Sequence, residues 1–406
     1  MAAEKFNQKN ISDSIRNILT LRYDSSQKST LPSLDWKNFT PKFHVNDIKI
    51  EDNIKLYLEQ HLIDKNDLGI ALSGGIDSTL VLHFIKKFFP NIRIKAFSIK
   101  FSNSTDETSI AGKIANYFDV EHNVIDLENY LEELPKAIGI TQLPFWDIHW
   151  YYIAQAAHKK SKYLASGDGG DELFGGYTFR YKKFLSLIDS NSNSMEKVQA
   201  YLQCHERDHV PDQQKIFGKN IIFSWTDYYD LIHPYFENSL SSIDQLFLAD
   251  YNGKLLYNFS IVNDSINNAF NITSITPLLN SSFLKSTSHL INTEKYDSKN
   301  NLGKLPLRKI LQKFDVYKLL NSEKLGFSVN TQNLWKNYGQ KICSYYLNDS
   351  EIVKENLVNN DWIQKYLHKD NLDIRYVNKL LGLLACEIWY RIFVTKSMTS
   401  DEKLIF

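Results

Sequence analysis

Leu68-Gly69-Ile70-Ala71-Leu72-Ser73-Gly74-Gly75-Ile76-Asp77-Ser78-Thr79-Leu80 is the stretch whose reading decides the fold. The apolar run 68–72 predicts a buried strand and the apolar residues after Ser78 predict a helix, which leaves 73–78 as a tight strand-to-helix turn. Gly74 and Gly75 permit backbone conformations that a side chain would block, so successive N–H groups can point at one anion. Ser73 and Ser78 add hydroxyl donors, and a helix beginning near Ser78 turns its unsatisfied amides and positive dipole end the same way. Asp77 is placed to hold the magnesium that accompanies a phosphate chain. Together these residues predict an ATP site, with Ser73, Gly74, Gly75, Asp77 and Ser78 around the phosphates. It is not a Walker loop, because no Gly-Lys-Ser/Thr follows. The plainer alternative is an ordinary turn with a Ser/Asp helix cap.

A second stretch favours the ligand. Residues 162–166 read as another short strand, followed by Gly167-Asp168-Gly169-Gly170-Asp171-Glu172-Leu173-Phe174-Gly175-Gly176-Tyr177, with five glycines and three carboxylates in eleven residues. A solvated loop has no need of Leu173, Phe174 and Tyr177 within it. In open α/β sheets ligands sit beyond the carboxyl ends of strands, where both loops would lie. Gly167 and Gly169 therefore join the expected nucleotide contacts, and Asp171 is expected to share a magnesium ion with Asp77.

Around these loops strands alternate with helices: strands at 92–101 and 120–125, helices at 106–118, 127–138 and 146–159. That is the pattern of a parallel sheet covered on both faces. Phe97 and Ser98 end the second strand beside the first loop, where the adenine is expected. Phe97 reads equally well as strand core, which makes polar Ser98 the better contact.

The two motifs, 73–78 and 166–177, resemble the synthetase domain of the asparagine synthetases and their relatives, the β-lactam synthetases and lasso-peptide cyclases; the first resembles the pyrophosphate loop of the ATP pyrophosphatases. The likeness continues through Phe97-Ser98-Ile99, Asp106-Glu107, Pro144 with Asp147, Asp264 and Pro277-Leu278. It resumes at Leu305-Pro306-Leu307-Arg308, Lys324-Leu325-Gly326-Phe327 and Glu387-Ile388-Trp389-Tyr390. The resemblance implies an α/β fold of the adenine nucleotide α-hydrolase (ATP pyrophosphatase) type with helices on both faces and a helical C-terminal part. It implies an amide-forming ligase using ATP and Mg2+, which adenylates a carboxylate, releases pyrophosphate and passes the acyl group to ammonia or an amine. By the same resemblance Lys324 is the lysine that reaches into the active site. Asp168 stands where asparagine synthetases usually carry Glu, one methylene shorter yet still able to act on an amine proton.

Three departures bear on the substrate. Gln142-Leu143-Pro144 replaces the usual Asp-Glu-Pro, Thr273-Ser274-Ile275 replaces Glu-x-Arg, and Ser322 stands where an arginine is common. With charges missing and both loops intact, the expectation is retained adenylation with an altered acceptor pocket. Aspartate is then not an assured substrate, and plain ammonia-dependent asparagine synthesis stays as the alternative. A catalytically silent ATP-binding subunit is the alternative of another class.

The 406 residues carry 47 Lys plus Arg against 47 Asp plus Glu, so no net field recruits nucleic acid or an anionic membrane. No apolar run reaches bilayer length, and three widely spaced cysteines fit a reducing cytoplasm. Residues 1–50 read as a helix over 11–22 and an extended connector with no catalytic role, too short for the glutaminase domain that starts glutamine-dependent asparagine synthetases. Nitrogen would then come from free ammonia, a separate glutaminase or a substrate amine. The synthetase domain is expected over 51–406, with a nucleotide-binding core at about 54–186 and a helical remainder at 187–406, and a homo-oligomer is left open. Further helices are expected at 304–314, 316–321, 335–347 and 376–393. His205-Glu206-Arg207-Asp208-His209 matches the His-Glu-x-x-His zinc pattern, but Pro211 breaks the helix that pattern requires.

Overall fold

Five parallel strands carry the architecture of the computed structural model, which describes residues 8–47, 49–102, 106, 108–320, 329–369 and 371–405. They are β1 (Asp67–Ala71), β2 (Arg93–Phe101), β3 (Glu121–Leu127), β4 (Tyr163–Ala165) and β5 (Thr273–Ile275), in the order β3-β2-β1-β4-β5. Register runs from Asp67 opposite Arg93 to Ala71 opposite Phe97, with Gly69 opposite Leu164 on the other side. The chain builds β1, β2 and β3 outward in one direction, then returns to lay β4 and β5 on the other side of β1. Loops leaving the carboxyl ends of β1 and β4 therefore diverge at the point where strand order reverses, the usual ligand crevice of such sheets.

The period-two alternation of side chains sends each strand into two separate cores. Leu68, Ile70 and Leu72 pack on one face with Leu80, Val81 and Phe84. Ala71, Phe97, Ile99 and Phe101 face the other, against Trp150, Ile153 and Ala154. Both faces are covered, as the near-continuous apolar run of β1 requires.

Several boundaries differ from the sequence expectation. The helix after the first loop begins at Ile76, two residues before Ser78. The helix expected over 127–138 starts only at Leu134, with Pro135 in its first turn where a missing N–H costs nothing. β5 was not anticipated: three residues are too few for periodicity to register. The helix expected over 335–347 begins at Thr331 and passes through a π-helical turn, Trp335–Gly339, before Gln340–Asn348. The last long helix, Ile374–Tyr390, is a core element as expected, with Leu380, Leu381 and Leu384 fully buried.

The N-terminal helix and connector, described over residues 8–47, pack on the rest of the chain. Helix α1 (Gln8–Leu21) packs on Ile374–Tyr390 through Ile15 and Leu19, and Lys379 donates to the Leu19 carbonyl. The connector then follows a long kinked helix, Ser242–Asp250, Tyr251–Phe259 and Ser260–Ala269. Its middle segment is π-helical, with Gly253 at φ −95° and ψ −107°. Tyr251 donates to the Pro32 carbonyl at 2.9 Å, and the Asn252 side chain brackets Leu34, accepting from its N–H at 3.1 Å and donating to its carbonyl at 2.8 Å. No helix among the described residues is long and apolar enough to cross a membrane.

Candidate active site

The first loop leaves β1 through Leu72, whose N–H is still paired with the Phe97 carbonyl at 2.9 Å, and turns at Gly74. Gly74 has φ +75°, and a Cβ there would meet Ile110 Cγ2 at 2.9 Å, so conformation and space both demand glycine. Helix α2 (Ile76–Phe88) starts without any side-chain cap, its N-cap Gly75 supplying none. The plain Ser/Asp cap is thereby ruled out. Ser73 and Ser78 instead hold the turn together: Gly75 N–H donates to Ser73 Oγ at 3.3 Å, and Ser78 Oγ donates to the Gly75 carbonyl at 3.3 Å. Bonds this long are weak, and the hydroxyls can exchange them for a better acceptor.

The second loop follows β4 and forms the short helix α3 (Gly170–Phe174), closed by Gly169 at φ +91° and Gly175 at φ +68°. Leu173 and Phe174 are fully buried beneath it, which answers why a glycine-rich loop contains them. The glycines serve close approach. A Cβ on Gly167 would lie 2.7 Å from the Ser78 nitrogen, and one on Gly170 would lie 2.3 Å from Asp77 Oδ1. The two loops thus touch through bare backbone, and Asp77 and Asp171 converge.

Lys304 lies between those carboxylates. Its ammonium bonds Asp77 Oδ2 and lies 2.7 Å from Asp171 Oδ1, with the lysine side chain 10% exposed. Burial disfavours the Lys304 charge, but Asp171 and Asp77 outweigh it and raise its pKa above the ordinary lysine value. Sequence reading passed over this residue. The signal for its position was present: Pro306 marks the start of a helix, Leu305–Leu311, which makes Lys304 the residue before it. Its direction was not readable, because it depends on φ +58° at Lys304 and on a hydrogen bond from its N–H to the Phe174 carbonyl at 2.7 Å.

Across the cleft stands an ionic chain. Asp147 accepts from Tyr130 Oη at 2.7 Å and from His149 Nδ1 at 3.1 Å, and Arg22 approaches it at 3.6 Å. Burial opposes the Asp147 charge, yet His149, Arg22 and Tyr130 together lower its pKa. For His149, burial is overcome by Asp147 and the more distant Asp168, and its pKa is raised. Asp168 is partly buried, accepting from Ser166 Oγ at 2.9 Å and Asn263 Nδ2 at 3.0 Å; desolvation outweighs these bonds and raises its pKa. The cleft bounded by Ser73, Asp77, His149, Asp168, Asp171 and Asn263 has a volume of about 320 Å³. A second cavity of about 220 Å³ shares Ser166, Asp168 and Asn263 with it.

The sequence-derived residues sort as follows. Ser73, Asp77, Ser78, Gly167, Asp168, Gly169 and Asp171 line the cleft. Gly74 and Gly75 shape its turn. Phe97 is 1% exposed in the core, and Ser98 is spent on the Leu72 carbonyl at 2.6 Å and on His122 at 2.9 Å, so neither side chain is offered to a nucleotide. Buried strand positions look alike in sequence whether they end under a ligand or under another strand. Lys324 and Ser322 lie outside the described residues. Of the departures, Leu143 and Ile275 are core side chains and Gln142 caps a helix end at φ +56°, so at these three described positions the missing charges do not themselves line the cleft. Ser274 and Thr276, which alternate with Thr273 and Ile275, line the second cavity instead. The zinc pattern is dissolved: the helix ends at Cys204, and His205 turns back to Arg180.

Two carboxylates from different loops, both reaching one buried cation, make an all-oxygen donor set that suits magnesium, which takes one or two protein carboxylates and completes its shell with phosphate oxygens and water. Asp77 and Asp171 fit that ion. Fold and site therefore define a class, the doubly covered parallel α/β proteins with a glycine-rich turn at the strand-order switch point. Within it, the asparagine synthase family matches residues 49–391, and this chain belongs to that family. It is 25% identical over 389 residues to the glutamine-hydrolyzing asparagine synthetase 1 of Bacillus subtilis, covering 87% of this chain and 60% of that protein. The chain thus spans about three fifths of that relative's length. It is also 26% identical over 212 residues to amidase chry2 of Gibberella zeae, covering 45% of this chain and 31% of that one. To rat glutamine-hydrolyzing asparagine synthetase it is 27% identical over 161 residues, 35% of this chain and 28% of the relative.

Proposed function

We propose that this chain is an ATP-dependent amide-forming ligase that activates a substrate carboxylate as its acyl-adenylate and transfers the acyl group to ammonia or an amine. The observation that carries the reading is the convergence of Asp77, Asp171 and Lys304 at the mouth of the 73–78 turn, with Asp168 lining the same cleft.

A free carboxylate is a poor acyl donor because oxide would have to leave. Attack of its oxygen on the α-phosphorus of ATP forms a C–O–P link and breaks the bond to the β-phosphate, so that pyrophosphate departs. The amides at the start of α2, the hydroxyls of Ser73 and Ser78 and the ammonium of Lys304 would receive the charge that grows on the phosphates. Asp77 and Asp171 would hold magnesium, which would supply positive charge against the departing pyrophosphate. An amine nitrogen then attacks the acyl carbon, its carbon–oxygen bond to AMP breaks, and AMP leaves. Asp168 takes the amine proton, a role helped by burial that makes its carboxylate more basic than usual. Lys324, assigned by resemblance, would stabilise the charge of this second step.

The test is release of pyrophosphate and AMP from Mg·ATP by the purified chain, first with aspartate plus ammonia and then with pooled carboxylates and amines. Carboxylate-dependent release that disappears in Asp171→Ala supports the reading. ATP binding without release under every condition would replace it with that of a silent nucleotide-binding subunit.

A further inference from the structure

The second cavity has a composition unlike the cleft it adjoins. Asp168 and Asp264 enter its wall together with Asn263, Asn267 and Thr276, while Trp150, Phe259 and Leu279 make it largely apolar. Among the described residues, no lysine, arginine or histidine lines it, whereas the cleft beside it holds His149. At about 220 Å³ it is several times larger than the roughly 30 Å³ one water occupies in the liquid, so it is too large to be shaped for ammonia alone.

One wall comes from outside the family match at 49–391: Thr30 and Leu31 of the N-terminal connector line it. Thr30 Oγ1 donates to Asp264 Oδ2 at 2.5 Å, Ser29 Oγ lies 3.4 Å from Ser260 Oγ, and Leu34 is clasped by Asn252. The connector is strapped to the kinked helix at several points, so Thr30 is held where it can orient Asp264.

We propose that this cavity is the acceptor pocket, that the connector is its outer wall, and that it selects a small amine-bearing substrate and rejects one with a second carboxylate. The proposal rests on the ligase reading above and names its substrate class. A substrate anion lodged here would lose its water, face two carboxylates and meet no cation among the described residues of the wall. An ammonium group would meet Asp264 across an apolar pocket, where a charge pair is felt more strongly than in water. Desolvation raises the pKa of both Asp168 and Asp264, against their hydrogen bonds and, for Asp168, against the His149 charge. Thr30 is a positioning residue acting through Asp264, and Leu31 limits the size of what enters.

The test compares two four-carbon probes of matched length, putrescine and succinate, binding to the whole chain saturated with Mg·ATP, followed by calorimetry. Putrescine is expected to bind at least tenfold more tightly than succinate. Asp264→Asn should abolish that preference, Thr30→Val should weaken putrescine by about threefold to tenfold, and Thr30→Ser should restore it. Mg·ATP affinity should not change in any of the three variants. Succinate binding equal to or tighter than putrescine overturns the proposal, as does failure of both probes to bind or a preference that survives Asp264→Asn. Failure of the wild-type chain to bind Mg·ATP is read in the first titration and counts against the ligase reading instead.

Discussion

Replacing Lys304 with Met removes the cation between Asp77 and Asp171 while keeping most of the side-chain volume. The three side chains are 10%, 16% and 20% exposed, so solvent screens their pairing only in part. Breaking a buried ion pair by deleting one partner costs about 3–5 kcal/mol, because the remaining charge is stranded. Residual exposure and protonation of one carboxylate should hold the loss near the lower end, about 3 kcal/mol. Magnesium offers a replacement cation: at a hundredfold excess over its dissociation constant, binding to the native state alone contributes about 2.7 kcal/mol. Urea denaturation with and without magnesium should therefore show the variant destabilised in EDTA and recovering more from magnesium than wild type does. Pyrophosphate release should not recover with it. Losing one preorganised donor to a developing oxyanion typically costs about 10²- to 10³-fold in rate. An unfolding midpoint equal to wild type in EDTA, or undiminished pyrophosphate release, would refute the electrostatic role assigned to Lys304.

Gly170→Ala should cut pyrophosphate release by about tenfold or more, since its Cβ would lie 2.3 Å from Asp77 Oδ1 and must push the carboxylate off Lys304. Gly167→Ala meets backbone instead, 2.7 Å from the Ser78 nitrogen, and should also lower stability by about 1–3 kcal/mol, read from denaturant midpoints. Asp168→Asn should leave carboxylate-dependent pyrophosphate release within a few-fold of wild type while slowing amide formation by about 10²-fold or more, measured by mass spectrometry of the product. His149 has a raised pKa in the fold because Asp147 overcomes the penalty of burial. Its contribution to stability is full below about pH 6.5, the ordinary histidine value, and fades as pH rises through the elevated one. Denaturation of wild type and His149→Gln between pH 6 and pH 9 should show the difference between them shrinking toward alkaline pH.

Much of the site was legible because its parts obey local rules. Gly74, Gly169 and Gly175 adopt positive φ, and Gly167 and Gly170 admit close contact with Asp77 and Ser78, so a dense run of glycines after an apolar strand announced a turn built for contact. Asp77, Asp168 and Asp171 were candidates for the same reason: they sit inside those turns, and they line one cleft. Phe97 and Ser98 were misplaced because a strand position names its neighbours in sequence and not its face, and their side chains went to the core and to Leu72. β5 was missed, and the path of the connector that carries Thr30 to Asp264 was not readable, because short segments of mixed polarity carry no period.

By itself the sequence determined the parallel α/β core, the two loops and the family pattern, since apolar periodicity, glycine spacing and turn chemistry act over a few residues. Only the tertiary structure decided which charges meet. Lys304 reaches Asp77 across 227 positions, and Thr30 reaches Asp264 across 234. Electrostatic interaction depends on distance through space and on burial, and neither is written in the spacing of residues along the chain.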